Sequence, residues 1–168
     1  MNKKGVTLVE LSVVLVIIAI AAALTIPGIG RWLPGYRLRG ATRDVVSTIR
    51  MAQAKAVSGN VEYRVHFDVA NRGYILQYRT AAGLIVDDGD TPGTPCPHQR
   101  ADGKPAHLQE LPNGIQIKEI NFGGGVSYAV FNSNSTSSSG NVTLQNTRGA
   151  ERKIVLLANT GRVRVEGN

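Results

Sequence analysis

The sequence predicts an α+β protein in which a long, bent, membrane-spanning N-terminal helix packs on an antiparallel β-sheet head. Three observations predict this fold. Residues 6–26 are almost entirely apolar, residues 36–57 repeat apolar side chains at helical spacing, and several later segments alternate apolar with polar residues. Helices bury residues at three- and four-residue spacing, whereas half-buried strands bury every second residue.

The apolar run contains one ionisable side chain, that of Glu10. As a helix, its 21 residues from Val6 to Ile26 would extend about 31 Å, close to the hydrocarbon thickness of a bilayer. A carboxylate at the bilayer centre costs at least ~2.5 kcal/mol, so Glu10 needs a partner. A cut after Gly5 would free the α-amino group of Val6, which could pair with Glu10 within one helix or between subunits.

This start resembles the type IV pilins and the pseudopilins of secretion systems. The basic leader Lys3-Lys4-Gly5, the apolar helix and Glu10 at the fifth mature position match their prepilin signature. The resemblance implies cleavage by a prepilin peptidase between Gly5 and Val6, N-methylation of Val6, and a role for Glu10 in filament assembly. One departure is that the family usually begins its mature chain with Phe.

An ordinary secretory signal peptide is the alternative interpretation of the same residues. Lys3 and Lys4 would be its charged end and Ala21-Ala22-Ala23 its cleavage site, which predicts a soluble periplasmic protein. Glu10 argues against it, because the central region of a signal peptide is apolar. Helix-compatible sequence also continues beyond the alanines.

A second helical segment follows the apolar run. Pro27, Gly28, Gly30 and Pro34-Gly35 predict a kink or a locally melted turn before it. The segment then runs from Tyr36 to about Val57 and ends at Ser58-Gly59-Asn60, because Gly and Asn suit a helix C-terminus. Its apolar face, predicted to pack on the head, consists of Leu38, Ala41, Val45, Ile49, Ala52 and Ala56.

The remaining sequence predicts strands separated by turns. The first two are expected at 61–68 and 74–78, joined by Asn71-Arg72-Gly73. Further strands are expected at 115–122, 126–131, 142–144, 154–157 and 162–165. The sum is one long helix followed by an antiparallel head.

This order narrows the resemblance to the FimT/GspH group of minor pilins and minor pseudopilins, over the whole mature chain. It is supported by the helix that starts at Leu38-Arg39, by Val65-His66-Phe67 and by the closing segment 159–164. We therefore expect a leader at 1–5, a membrane and assembly helix at 6–35, an amphipathic helical half at 36–58 and a β head at 59–168. The resemblance implies a single-pass inner-membrane protein with a periplasmic head, whose partners are prepilin peptidase and other pilins or pseudopilins in a helical filament.

Residues 80–112 are rich in acidic residues and proline, which predicts an irregular, solvated surface insertion in the head. Asp87-Asp88-Gly89-Asp90 lacks the spacing of an EF-hand calcium loop. Cys96, His98 and His107 have no recognised metal-ligand spacing. The sequence therefore predicts no metal and no cofactor.

The C-terminal strand carries the second functional clue. Arg162 and Arg164 alternate with valines, so both should lie on one face, and Arg148, Arg152 and Lys153 lie nearby in sequence. Arginine binds phosphates in bidentate geometry, which makes these five residues candidate DNA-binding residues. The Gly-Arg-x-Arg ending resembles that of the FimT branch, which implies DNA binding in natural transformation. The alternatives are a solvated strand face and a docking surface for an acidic neighbouring pilin.

Composition limits the other function classes. The chain has 19 basic and 12 acidic residues, and its net charge of +7 favours an anionic partner. Its single cysteine, Cys96, excludes an intramolecular disulfide. No Gly-rich phosphate loop or pair of catalytic carboxylates is recognisable, and His66, His98 and His107 lack a neighbouring Ser or Cys motif. The sequence therefore predicts a structural subunit and no enzyme.

Overall fold

The structure is a computed structural model that describes residues 7–90, 99–158 and 161–167, with 24–29 and 31 described as backbone only. One helix, α1 (Leu8–Gly59), begins it and runs without interruption for 52 residues. The predicted melting around Pro27–Gly30 and Pro34-Gly35 is therefore wrong. A proline removes one helical hydrogen bond, and α1 retains the bonds on both sides. The predicted end is confirmed, because Asn60 caps α1 in a left-handed conformation (φ 50°) and its N–H donates to the Ala56 carbonyl oxygen.

Antiparallel strands follow the helix, and the described residues form two sheets. The strands are β1 (Tyr63–Asp68), β2 (Gly73–Arg79), β3 (Ile85–Asp87), β4 (Gln109–Glu110), β5 (Ile115–Phe122), β6 (Tyr128–Phe131), β7 (Gly140–Asn146), β8 (Glu151–Leu156) and β9 (Val163–Gly167). The first sheet has the order β3-β2-β1-β6, and β4 also pairs with β2. The second sheet has the order β5-β7-β8-β9, so β9 is an edge strand. This architecture confirms the predicted α+β fold.

The core lies between the second half of α1 and the inner faces of both sheets. All six residues predicted to form the apolar face of the helix are buried, at 3% exposure or less. Val65 and Phe67 of β1 meet them from the first sheet, and Ile154 and Leu156 of β8 meet them from the second. The head is therefore assembled on α1, because each sheet buries its apolar face against the same helix.

The 80–112 insertion differs from its prediction in the described part. Two of its segments are strands, β3 and β4, and both pair with β2. Asp87, predicted to be solvated, is fully buried and accepts a hydrogen bond from Gln77 Nε2 at 2.7 Å. Asp88 pairs with Lys55 of α1 at 2.5 Å, and Asp90 lies 2.9 Å from His107. The prediction of an irregular, solvated loop is wrong for these residues, because their carboxylates have partners in β2, in α1 and, for Asp90, within the insertion itself.

Candidate functional site

The start of α1 holds the first group of predicted site residues. Thr7 caps the helix, and its hydroxyl accepts a hydrogen bond from the backbone N–H of Glu10 at 3.2 Å. Glu10 therefore lies in the first helical turn, where the helix dipole favours a negative charge. Gly5 and Val6, the predicted cleavage and methylation residues, lie outside the described residues.

The first half of α1 exposes its apolar side chains. Every large apolar residue from Leu8 to Ile20 is exposed, with values from 83% for Leu8 to 48% for Val14. Leu38, only 18 positions beyond Ile20, is 3% exposed. Within the described residues, no helix is long and apolar enough to cross a membrane.

The C-terminal arginines lie on and beside the edge strand β9. Arg164 is exposed and points away from α1, because its neighbours Val163 and Val165 pair with the core residues Leu156 and Ile154. Its Nε lies 3.6 Å from a Glu166 carboxylate oxygen. Arg162 is also exposed, and it lies with Arg50 and Gln53 of α1 around a surface recess.

Of the other three candidate DNA-binding residues, only Lys153 shares the outer sheet face with Arg164. Lys153 is on the outer face of the second sheet, in a recess with Glu119, Glu151 and Glu166. Arg148 donates to the Gly30 carbonyl oxygen of α1 at 3.1 Å. Arg152 lies on the inner face beside Gly167. The fold thus distributes the five predicted residues over two sheet faces and the side of the helix.

Arginines of α1 that were not predicted as site residues approach Arg152 instead. Arg39, Arg43 and Arg50 line one side of a groove of about 430 Å³, and Arg152 of β8 and Val165 of β9 line the other. We call this feature the arginine groove. The sequence signal was the spacing of four and seven residues between the helix arginines, which places them on one face of a helix.

Two of the three histidines, His66 and His107, lie in the described part of the chain. His66 of β1 is half-buried, and burial, together with the neighbouring Arg64, lowers its pKa. His107 contacts Asp90, and His98 and Cys96 lie outside the described residues. Within the described residues, no three His, Cys, Asp or Glu side chains converge as metal ligands would.

Solved structures with a similar fold include two of the minor pseudopilin EpsH from the type 2 secretion system of Vibrio cholerae. One has a TM-score of 0.59 and 11% identity, over 78% of this chain and 97% of EpsH. The other has a TM-score of 0.57 and 12% identity, over 79% of this chain and 94% of EpsH. The type IV minor pilin FimU of Pseudomonas aeruginosa aligns with a TM-score of 0.49 and 14% identity, over 77% of this chain and 92% of FimU.

Two sequence families match the chain, and they cover its helix and its head. The prokaryotic N-terminal methylation motif matches residues 1–26. The family of the type II transport protein GspH matches residues 41–161, which is more than half of the chain. A comparison with curated proteins found no match. The helix-plus-head fold and the two matches agree, and the chain belongs to the family of the type II transport protein GspH.

Proposed function

We propose that the chain is a structural minor subunit of a type II secretion pseudopilus or of a type IV pilus. Prepilin peptidase cuts it between Gly5 and Val6, and Val6 is then methylated. The apolar half of α1 anchors it once in the inner membrane, with the head in the periplasm, and later enters the helical bundle of the filament. The head carries no catalytic role in this proposal.

The division of α1 into two halves is the observation that carries the proposal. Its second half is buried by the head, whereas its first half exposes a continuous apolar surface from Leu8 to Ile20. Exposed apolar surface of this extent marks a membrane or protein contact. Heterologous packing of such helices generates open filaments, so the subunit need not close into an oligomer of its own.

Glu10 supplies the polar contact in this packing. Glu10 lies in the first turn of α1, and it is four residues from Val6 in the sequence, where cleavage would create a new N-terminus. In an apolar bundle an unpaired carboxylate is costly, so pairing with an α-amino group favours one axial register over others.

The Glu10→Gln variant tests this proposal, because it removes the charge and preserves the shape. We expect incorporation into sheared filaments to fall about tenfold or more, since the α-amino group loses its ionic partner. Incorporation is measured by immunoblotting of the filament fraction, and cleavage by the mass of the chain. Ser12→Ala, two positions further along α1 and also exposed, is the matched control and should assemble normally. Normal assembly of Glu10→Gln would contradict the role of Glu10.

DNA capture is a second candidate function, favoured by the exposure of both Arg162 and Arg164. It predicts salt-dependent binding of duplex DNA by the full chain in detergent. In an Arg162→Ala/Arg164→Ala variant, the slope of log affinity against log salt should fall by about 2, roughly one for each lost phosphate contact. Arg79→Ala, in the first sheet, is the control. Equal DNA binding by the double variant and the wild type would remove this candidate.

A further inference from the structure

The arginine groove carries four guanidinium groups. The proposed assembly through the first half of α1 gives them no role. Arg39, Arg43 and Arg50 are exposed on one face of the helix, and Arg152 faces them from β8. None of the described residues that line the groove is acidic. Like charges gathered along one groove raise its positive potential and favour an anionic occupant.

The four arginines are not neutralised by ion pairs within the described part of the chain. Arg39 donates to the Gly35 carbonyl oxygen at 3.4 Å, which leaves its positive charge in place. The charged residues of the opposite sheet face, including Lys153 and Glu166, do not line the groove. An incoming carboxylate would therefore meet positive charge with no competing acid.

The groove also has an apolar part and runs beside a strand edge. Val46 of α1 and Val165 of β9 line it together with the arginines, and Val165 is 40% exposed although it lies on the inner face. Among the described residues β9 pairs only with β8, so one of its edges has no strand beside it. Such an edge presents backbone N–H and C=O groups on which an extended peptide can form a further strand.

The length of this surface suits a short strand. The positions from Arg39 to Arg50 of α1 span about 17 Å at the rise of a helix. An extended segment of about six residues covers that distance. In an added strand every second side chain would face the groove, and acids at these positions would meet the arginines.

We propose that the arginine groove docks an extended segment, with an acidic residue at every second position, from a neighbouring subunit of the filament. This inference rests on the proposed function, because it takes the partner to be another subunit. Val46, Val165 and the free edge of β9 offer apolar and backbone hydrogen-bonding contacts that a polypeptide can use and a phosphate backbone cannot. A polypeptide partner is therefore favoured over DNA.

The binding test uses the full chain in non-ionic detergent and a fluorescent peptide of about six residues in which glutamate alternates with valine. We expect an Arg43→Gln/Arg50→Gln variant to bind this peptide roughly 100-fold more weakly, about tenfold for each lost charged contact. Fluorescence anisotropy gives the affinities. Arg79→Gln/Lys104→Gln removes the same charge beside the first sheet, away from the groove, and should bind like the wild type.

A charge-reversal variant distinguishes loss of charge pairing from loss of the folded groove. The Arg43→Glu/Arg50→Glu variant should lose the glutamate peptide and gain the peptide in which lysine replaces glutamate. Failure of this exchange, or equal peptide binding by the Arg43→Gln/Arg50→Gln variant and the wild type, would overturn the proposal. Displacement of the glutamate peptide by an equally charged DNA duplex at lower concentration would also overturn it, in favour of a nucleic acid partner.

Filament incorporation of the same variants separates this proposal from the function on which it rests. Reduced incorporation of Arg43→Gln/Arg50→Gln, with normal cleavage, supports docking in the filament. Normal incorporation of a variant that no longer binds the peptide overturns docking and leaves the subunit role intact. A wild-type chain that never enters filaments overturns the subunit role, whatever the groove binds.

Discussion

Replacing Phe67 with alanine is expected to lower the free energy of unfolding by about 3–5 kcal/mol. Phe67 is 1% exposed, and its ring stacks on that of Phe122 with the centroids 5.9 Å apart. It lies on β1 of the first sheet and Phe122 on β5 of the second, so this contact joins the two sheets. Truncation removes the aromatic contact and leaves a cavity that the backbone of two sheets cannot close.

Urea denaturation of the full chain in detergent measures this loss. Val69→Ala is the control, because Val69 follows the same strand but is 54% exposed. Its expected effect is within about 0.5 kcal/mol, as for other surface substitutions. A loss below about 1 kcal/mol for Phe67→Ala would contradict the central place of Phe67 in the core.

The second large effect is expected for Gly140→Ala, at the upper end of the ~1–3 kcal/mol typical of overpacking or above it. Gly140 begins β7 and lies opposite Phe122 in the ladder with β5. An added Cβ would clash with the Asn121 carbonyl oxygen and the Phe122 ring, and it would lie 2.8 Å from the Phe122 Cα. Two of these neighbours are backbone atoms, which cannot move without disturbing the ladder.

Gly123→Ala is the matched control, because nothing lies within 4 Å of a Cβ added there. Neither Gly123 nor Gly140 has a positive φ, so the comparison isolates the steric clash from backbone strain. Both variants are compared by urea denaturation. Equal stability of the two would show that β5 and β7 can separate at no cost. Because Gly140 and Phe67 both contact Phe122, we also expect their double variant to be non-additive.

Much of the fold was predictable because its signals are local. The apolar spacing of the helix identified the buried face from Leu38 to Ala56, and Asn60 marked its end. Strict alternation located β1, and β5 was predicted at its observed bounds of 115–122. β3 and β4 were missed, because proline and aspartate hide the strand pattern. Pairing with β2 and partners such as Lys55 and Gln77 stabilise them, and these are contacts between residues distant in sequence.

The candidate site likewise combines features that local sequence determines with features that only the tertiary structure decides. The sequence by itself identified the prepilin signature, since a lone carboxylate in an apolar run and its spacing from Gly5 are properties of adjacent residues. Only the tertiary structure separated Arg152 from Arg164 and joined it to Arg39, Arg43 and Arg50 in one groove. Each strand residue lies on the inner or the outer face of its sheet according to which face the sheet buries. The packing of α1 against β8 and β9 depends on the same choice. That choice is made by the whole core, because it minimises the exposed apolar area of the helix and both sheets together.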